Sequence, residues 1–125
     1  MKRLLIIIAV IVYLIGICAI DSVLISRRAS VLDSELSYLY NLAEKGSDLL
    51  EVSVSNIETY WEDNEFYFAL VTNHRLTDEL DEQILMLKHY AGIDDKQHLM
   101  AKIAECRSLL FEIVRDDNIA LHNIF

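Results

Sequence analysis

The chain has 125 residues, with 20 acidic and 11 basic side chains and a formal net charge of −9. An acidic excess of this size is repelled by nucleic-acid phosphates and by anionic lipid headgroups, which excludes nucleic acid as a partner. Two cysteines, one of them inside an apolar run, cannot make a disulfide framework, and the absence of proline with only three glycines leaves little to interrupt helices.

Met1-Lys2-Arg3 is followed by Leu4 to Ile20, a run without a charge that ends at Asp21. As a helix rising about 1.5 Å per residue, and extended by the apolar Val23-Leu24-Ile25, it crosses a hydrocarbon core of roughly 30 Å. A cleavable signal peptide needs a small-x-small site after its apolar region. Gly16-Ile17-Cys18 lies inside the run, and Ala19 has the branched Ile17 two places before it, so the segment reads as an uncleaved signal anchor. Ile17 directly before Cys18 also excludes lipid attachment there, since a small residue is wanted at that place. All the acidic residues lie from Asp21 onward, whereas Lys2 and Arg3 form a short basic head. The positive-inside bias then places the N-terminus in the cytoplasm and the rest outside the cell membrane. Residues 1–25 are the transmembrane anchor and residues 26–125 an extracytoplasmic domain, with Arg27 and Arg28 placed to touch headgroup phosphates and hold the acidic part off the surface.

Beyond the anchor the apolar residues recur at spacings of four and three, the stripe of an amphipathic helix that packs on other helices. Leu32, Leu36, Leu39 and Ala43 continue the first helix to about Lys45. Leu50, Val54, Ile57 and Trp61 belong to a second helix from Asp48 to about Asn73. Leu80, Ile84, Leu87 and Ala91 define a third from Leu76 to Ala91, and Leu99, Ile103, Cys106, Leu110 and Ile113 a fourth from Asp95 to about Arg115. Gly46 and Gly92 stand where helices should stop, Asp48 with Glu51 resembles a capping box, and Asp94 has Gln97 three residues on. Asp116-Asp117 could close the fourth helix or cap a short turn. Short connections favour antiparallel neighbours, so the fold class is all-α: a transmembrane helix continuing into a small antiparallel helical bundle. A bundle this small is marginally stable alone, and a protein partner or self-association would complete it.

The four histidines, His74, His89, His98 and His122, are spread over separate elements, and the residues three before them are Val71, Met86, Asp95 and Ile119. That is not the Glu-x-x-His set of a di-iron bundle, and Asp95 suits a helix N-cap better than a metal. Glu62-Asp63-Asn64-Glu65 and Asp78-Glu79-Asp81-Glu82 lack the alternating oxygens and the glycine of a calcium loop. No phosphate loop or nucleophile elbow is present. Neither catalytic residues nor a metal nor a cofactor is expected, and Cys106 on the apolar stripe reads as a small buried hydrophobe.

Aromatic residues crowd the second helix: Tyr60 and Trp61, then Phe66, Tyr67 and Phe68. Positions 60, 61, 67 and 68 share a helical face while Phe66 points elsewhere, too wide a stripe for one neighbour to cover. It is either bundle core or an exposed patch that marks a partner site. The chain ends on Leu121-His122-Asn123-Ile124-Phe125, and an apolar terminus requires an apolar surface, on the bundle or on another protein. Candidate docking residues are thus Tyr60, Trp61, Phe66, Tyr67, Leu121, Asn123, Ile124 and Phe125.

Trp61, Asn73-His74, Leu80-Ile84-Leu87-Tyr90, the acidic Asp94-Asp95 turn, the Leu99 to Ile113 stripe and the closing Leu121-His122-Asn123-Ile124-Phe125, together with the N-terminal anchor, resemble the bacterial family called Domain of Unknown Function 4363. The resemblance spans nearly the whole chain. It implies a small single-pass membrane protein, of a kind found mostly in spore-forming Gram-positive bacteria, without an assigned activity, and it makes His74 the position of most interest. The expected function is that of a membrane-anchored interaction or accessory subunit of an envelope protein complex, without catalysis. The alternative is a ligand-sensing helical ectodomain, which with three residues before the span would need a separate membrane partner for its output. An intact chain should remain with membranes after carbonate washing and keep its N-terminus, and protease outside protoplasts should digest its C-terminal domain. A shortened soluble form or a protected domain would contradict this topology.

Overall fold

The computed structural model describes the backbone of residues 1–124, and the side chains of these residues except at positions 21, 22, 71 and 116–124. Four helices follow in chain order: α1 (Lys2–Lys45), α2 (Leu50–Val71), α3 (His74–Gly92) and α4 (Lys96–Ile124). No strand occurs among the described residues. Each helix must bury its apolar stripe, and each does so against two neighbours: α1 borders α2 and α4, and α3 borders α2 and α4. Side-chain contacts show that neighbours run antiparallel. Arg107 on α4 meets Asp33 on α1 while Lys96, eleven residues earlier, meets the Glu44 carbonyl, eleven residues later. Trp61 and Glu58 on α2 face Asp81 and Lys88 on α3 in the same opposed order.

The stripes read from the sequence form the core. Leu32, Leu36 and Leu39 from α1, Ile57 and Phe68 from α2, Leu80 and Leu87 from α3, and Ile103, Cys106 and Ile113 from α4 are completely enclosed. At about 1.5–3 kcal/mol for each large apolar side chain buried, this packing is what offsets the entropy of ordering the chain. The stripe on α1 begins only at Ile25, and the large apolar side chains described from Leu4 to Leu24 are exposed apart from the half-buried Ile15. α1 is thus one helix of 44 residues with two halves, the second built into the core and the first long and apolar enough to cross a membrane.

The turns are built differently from the sequence expectation at several points. Gly46 does end α1, at φ 69°, where the left-handed backbone suits glycine; the Ser47 N–H reaches back to the Leu42 carbonyl at 3.0 Å. The capping box of Asp48 and Glu51 does not form, because α2 starts later, at Leu50, and the Ser47 hydroxyl accepts from the Leu49 N–H instead. The break near Asn73 is real. Thr72 is extended, and the Asn73 side chain caps α3 by accepting from the Arg75 N–H at 2.9 Å, so α3 begins at His74 rather than Leu76. Gly92 remains helical and Asp94 takes the left-handed conformation at φ 56°. The next residue, Asp95, receives the His98 N–H at 3.2 Å, which makes Asp95, rather than Asp94 with Gln97, the cap of α4. Asp116-Asp117 does not close α4, which continues through Ile124.

Cys106 lies wholly inside, and burial pushes its thiol up to about 12. With Cys18 replaced by serine, maleimide should leave Cys106 of the folded, detergent-solubilised protein unmodified at pH 8 and modify it in denaturant. Because the unfolded thiol ionises near its ordinary value of 9.0 and the folded one does not, unfolding binds fewer protons across this window. Cys106 should therefore lower stability as pH rises from about 9 towards 12, measured by denaturant titration against Cys106→Ala.

Candidate functional site

The most elaborate arrangement of polar and aromatic groups lies where the apolar half of α1 meets the bundle. Arg28, three residues past the first core residue Ile25, turns toward α2. Its guanidinium donates to Asn64 Oδ1 and lies over the Tyr67 ring, 3.9 Å from the centroid. Its backbone carbonyl accepts from the Tyr60 hydroxyl at 3.2 Å. Asn64 is itself buried and donates to the Tyr60 carbonyl at 2.7 Å. A planar cation can satisfy a buried amide and cover an aromatic face at once, which a lysine cannot. Burial, opposed by the nearby Arg28 charge, holds the Tyr60 phenol above its ordinary range.

The aromatic cluster divides. Trp61 is 1% exposed and is a packing residue, which removes it from the docking set. Its ring lies 5.5 Å from that of Phe68, and its Nε1 donates to Asp81 at 3.0 Å, pinning α2 to α3. The partner for that indole N–H is what the sequence could not show. Tyr60 is half-buried at the α1 seam. Phe66 and Tyr67 are 68% and 46% exposed and meet edge to face, so the wide aromatic stripe is core on one side and surface on the other. His74 is exposed at the first position of α3. The side chains of Leu121, Asn123 and Ile124, and all of Phe125, lie outside the described residues.

The two acidic runs meet across the α2–α3 seam, a juxtaposition the sequence did not reveal. Burial first, and then Asp81, Asp78 and Glu62, push the Glu65 carboxyl above its ordinary range. Among the described residues no group of His, Cys, Asp or Glu is arranged to hold a metal ion. Asp95 and His98 are a helix cap with the imidazole 2.7 Å from the carboxylate.

A cleft of about 490 Å³ runs along the α1–α4 seam and was not expected from the sequence. Ser26, Ala29 and Ser30 form its α1 wall, Leu110, Phe111 and Val114 its α4 wall, and the Asp33–Arg107 pair closes one end. Phe111 is 67% exposed there. Small residues on one wall and a large one on the other make a groove, and its signal in the sequence was the pairing of these small α1 residues with an aromatic residue off the α4 stripe.

The sequence pattern of the family described as Domain of unknown function (DUF4363) matches residues 32–124. No curated protein and no solved structure matches the chain.

Arg28 and Arg107 should differ in worth. Arg28→Ala leaves the buried Asn64 oxygen without its donor and should cost about 1–3 kcal/mol, whereas Arg107→Ala removes an exposed pair with Asp33 worth about 0.2–1 kcal/mol that fades in high salt. Denaturant unfolding of the solubilised chain at low and high salt measures both.

Proposed function

The chain belongs to the family described as Domain of unknown function (DUF4363), and from that premise we propose that it is a non-catalytic, membrane-anchored accessory subunit of an envelope protein complex. In this reading Leu4 to Leu24 crosses the cell membrane once, with the N-terminus cytoplasmic and the bundle outside. The observation that carries the reading is the α1–α4 cleft. It begins at Ser26, directly above the apolar half of α1, so a helix leaving the membrane beside α1 would enter it without a turn. Ala19 stands seven residues before Ser26 and thus on the same face of α1, continuing the small-residue wall into the apolar half. The partner that suits this groove is an apolar helix of another membrane protein.

The volume of the cleft also falls in the range of small-molecule sites, about 300–1,000 Å³, which favours the ligand-sensing reading to that extent. The exposure of Phe111 supports the helix-partner reading. A small ligand on the floor would leave that ring largely in water, whereas a helix laid in the groove covers it. Chemistry is disfavoured because the carboxylate at the cleft, Asp33, is engaged by both Arg107 nitrogens at 2.8 and 3.3 Å.

Affinity purification of the full chain from membranes tests this. Phe111→Asp should lose a co-purifying integral membrane protein while Ile93→Asp, at the opposite end of the bundle, keeps it. Loss of one apolar anchor worth about 1.5–3 kcal/mol corresponds to roughly a 10- to 150-fold weaker complex. Identical partner profiles for both variants would overturn the reading.

A further inference from the structure

We infer that the membrane end of α2, with Leu24 and Arg28 of α1, is a lipid-contacting surface seated in the headgroup–acyl boundary of the bilayer. The inference rests on the reading of Leu4 to Leu24 as a membrane span. Asn64 fixes the register of α2 against α1, since it sits opposite Arg28. Leu70 lies six residues further along α2, about 9 Å nearer the apolar half of α1, and so level with residue 22. A hydrocarbon core needs about 20 helical residues, which starting from Leu4 reaches the same level. Leu70 therefore stands at the edge of the hydrocarbon, with Tyr67 and Phe66 about one turn outside it.

These side chains are exposed: Leu70 is 65%, Phe66 68%, Tyr67 46% and Leu24 41% accessible. Leu24 lies one turn before Arg28 on the same face of α1 and joins the patch to the span. The bundle cannot lift away from this position, because α1 is a single helix from Lys2 to Lys45 whose first turn-making residue is Gly46. The patch also has the layering of a membrane interface. Apolar Leu70 and Leu24 lie deepest, aromatic Phe66 and Tyr67 come next with the Arg28 guanidinium over Tyr67, and acidic Glu62 and Asp63 stand one turn further out on the face of Phe66. Aromatic rings favour the headgroup level, and arginine reaches phosphates while its stem stays apolar. A second copy of the chain on this face would set Glu62 and Asp63 against their own counterparts, which disfavours a symmetric pair as the cover. The basic pair Arg27-Arg28 does not hold the bundle off the surface; Arg28 is folded into the seat.

The test uses the full chain, with Cys18→Ser, reconstituted into phosphatidylcholine vesicles and labelled with an environment-sensitive fluorophore at Ile11→Cys, Phe66→Cys, Leu70→Cys or Leu49→Cys. Cys106 is buried and stays unlabelled. Position 11 should be quenched by nitroxide lipids labelled deep in the acyl chain, positions 66 and 70 several-fold more by shallow than by deep nitroxide, and position 49 by neither. If position 11 escapes deep quenching, the span reading fails and the seat with it. If position 11 is quenched while 66 and 70 behave like 49, the span stands and the seat is overturned. Blue-shifted but unquenched emission at 66 and 70, lost on dilution below one chain per vesicle, would identify a second copy as the cover and equally overturn the proposal.

Discussion

The structure depends on the continuity of α1. The large apolar side chains described in its first half are mostly exposed, and its striped half contributes Leu32, Leu36 and Leu39 to the centre of the core. A helix with no break between two such halves transmits the placement of one to the other, so the bundle has no independent position relative to the apolar half. The other three helices complete the core around that fixed post. A bundle joined through a glycine or proline linker would have the same fold and a different relation to the bilayer.

Around this post the polar contacts serve register more than stability. The Asp33–Arg107, Lys88–Glu58 and Arg75–Glu79 pairs are all partly exposed to solvent, and pairs of that kind contribute little. The contacts that leave a buried group dependent on a specific partner are few: Arg28 with Asn64, and Trp61 with Asp81. Both lie on α2. Sliding α2 along either neighbour by one residue would strand a buried donor or acceptor, so these two bonds set where the aromatic end of α2 stands against α1 and α3.

The proposed partner surface and the inferred lipid surface occupy different seams of the bundle. The α1–α4 groove has small residues on one wall and admits a helix, while the α1–α2 edge is covered with aromatic rings and a guanidinium and offers no groove. An accessory protein that rests one edge on lipid and turns the other toward a membrane partner would hold that partner in a fixed orientation.

Much of the fold was determined by the sequence alone. The four-and-three spacing of Leu32 to Ile113 assigns four helices and nearly every core residue, since a helix must bury one face, and Gly46 marks its turn because left-handed backbone favours glycine. The charge-free run from Leu4 is legible for the same reason: length and apolarity are properties of consecutive residues. Local competition between caps was not legible: the Asp48–Glu51 box gave way to Ser47, and although α3 does end at Gly92, the left-handed turn falls on Asp94. The site was the least legible part. Trp61 and Tyr67 share a helical face by periodicity, yet one is core and the other surface, and only the placement of α1 and α3 decides which. The contacts of Arg28 with Asn64 and Tyr67, distant in sequence, exist only because α2 packs on α1. The groove exists only where Ser26 and Ala29 happen to face Phe111. Pairings of this kind depend on the register between helices, which tertiary packing sets and helical periodicity leaves free.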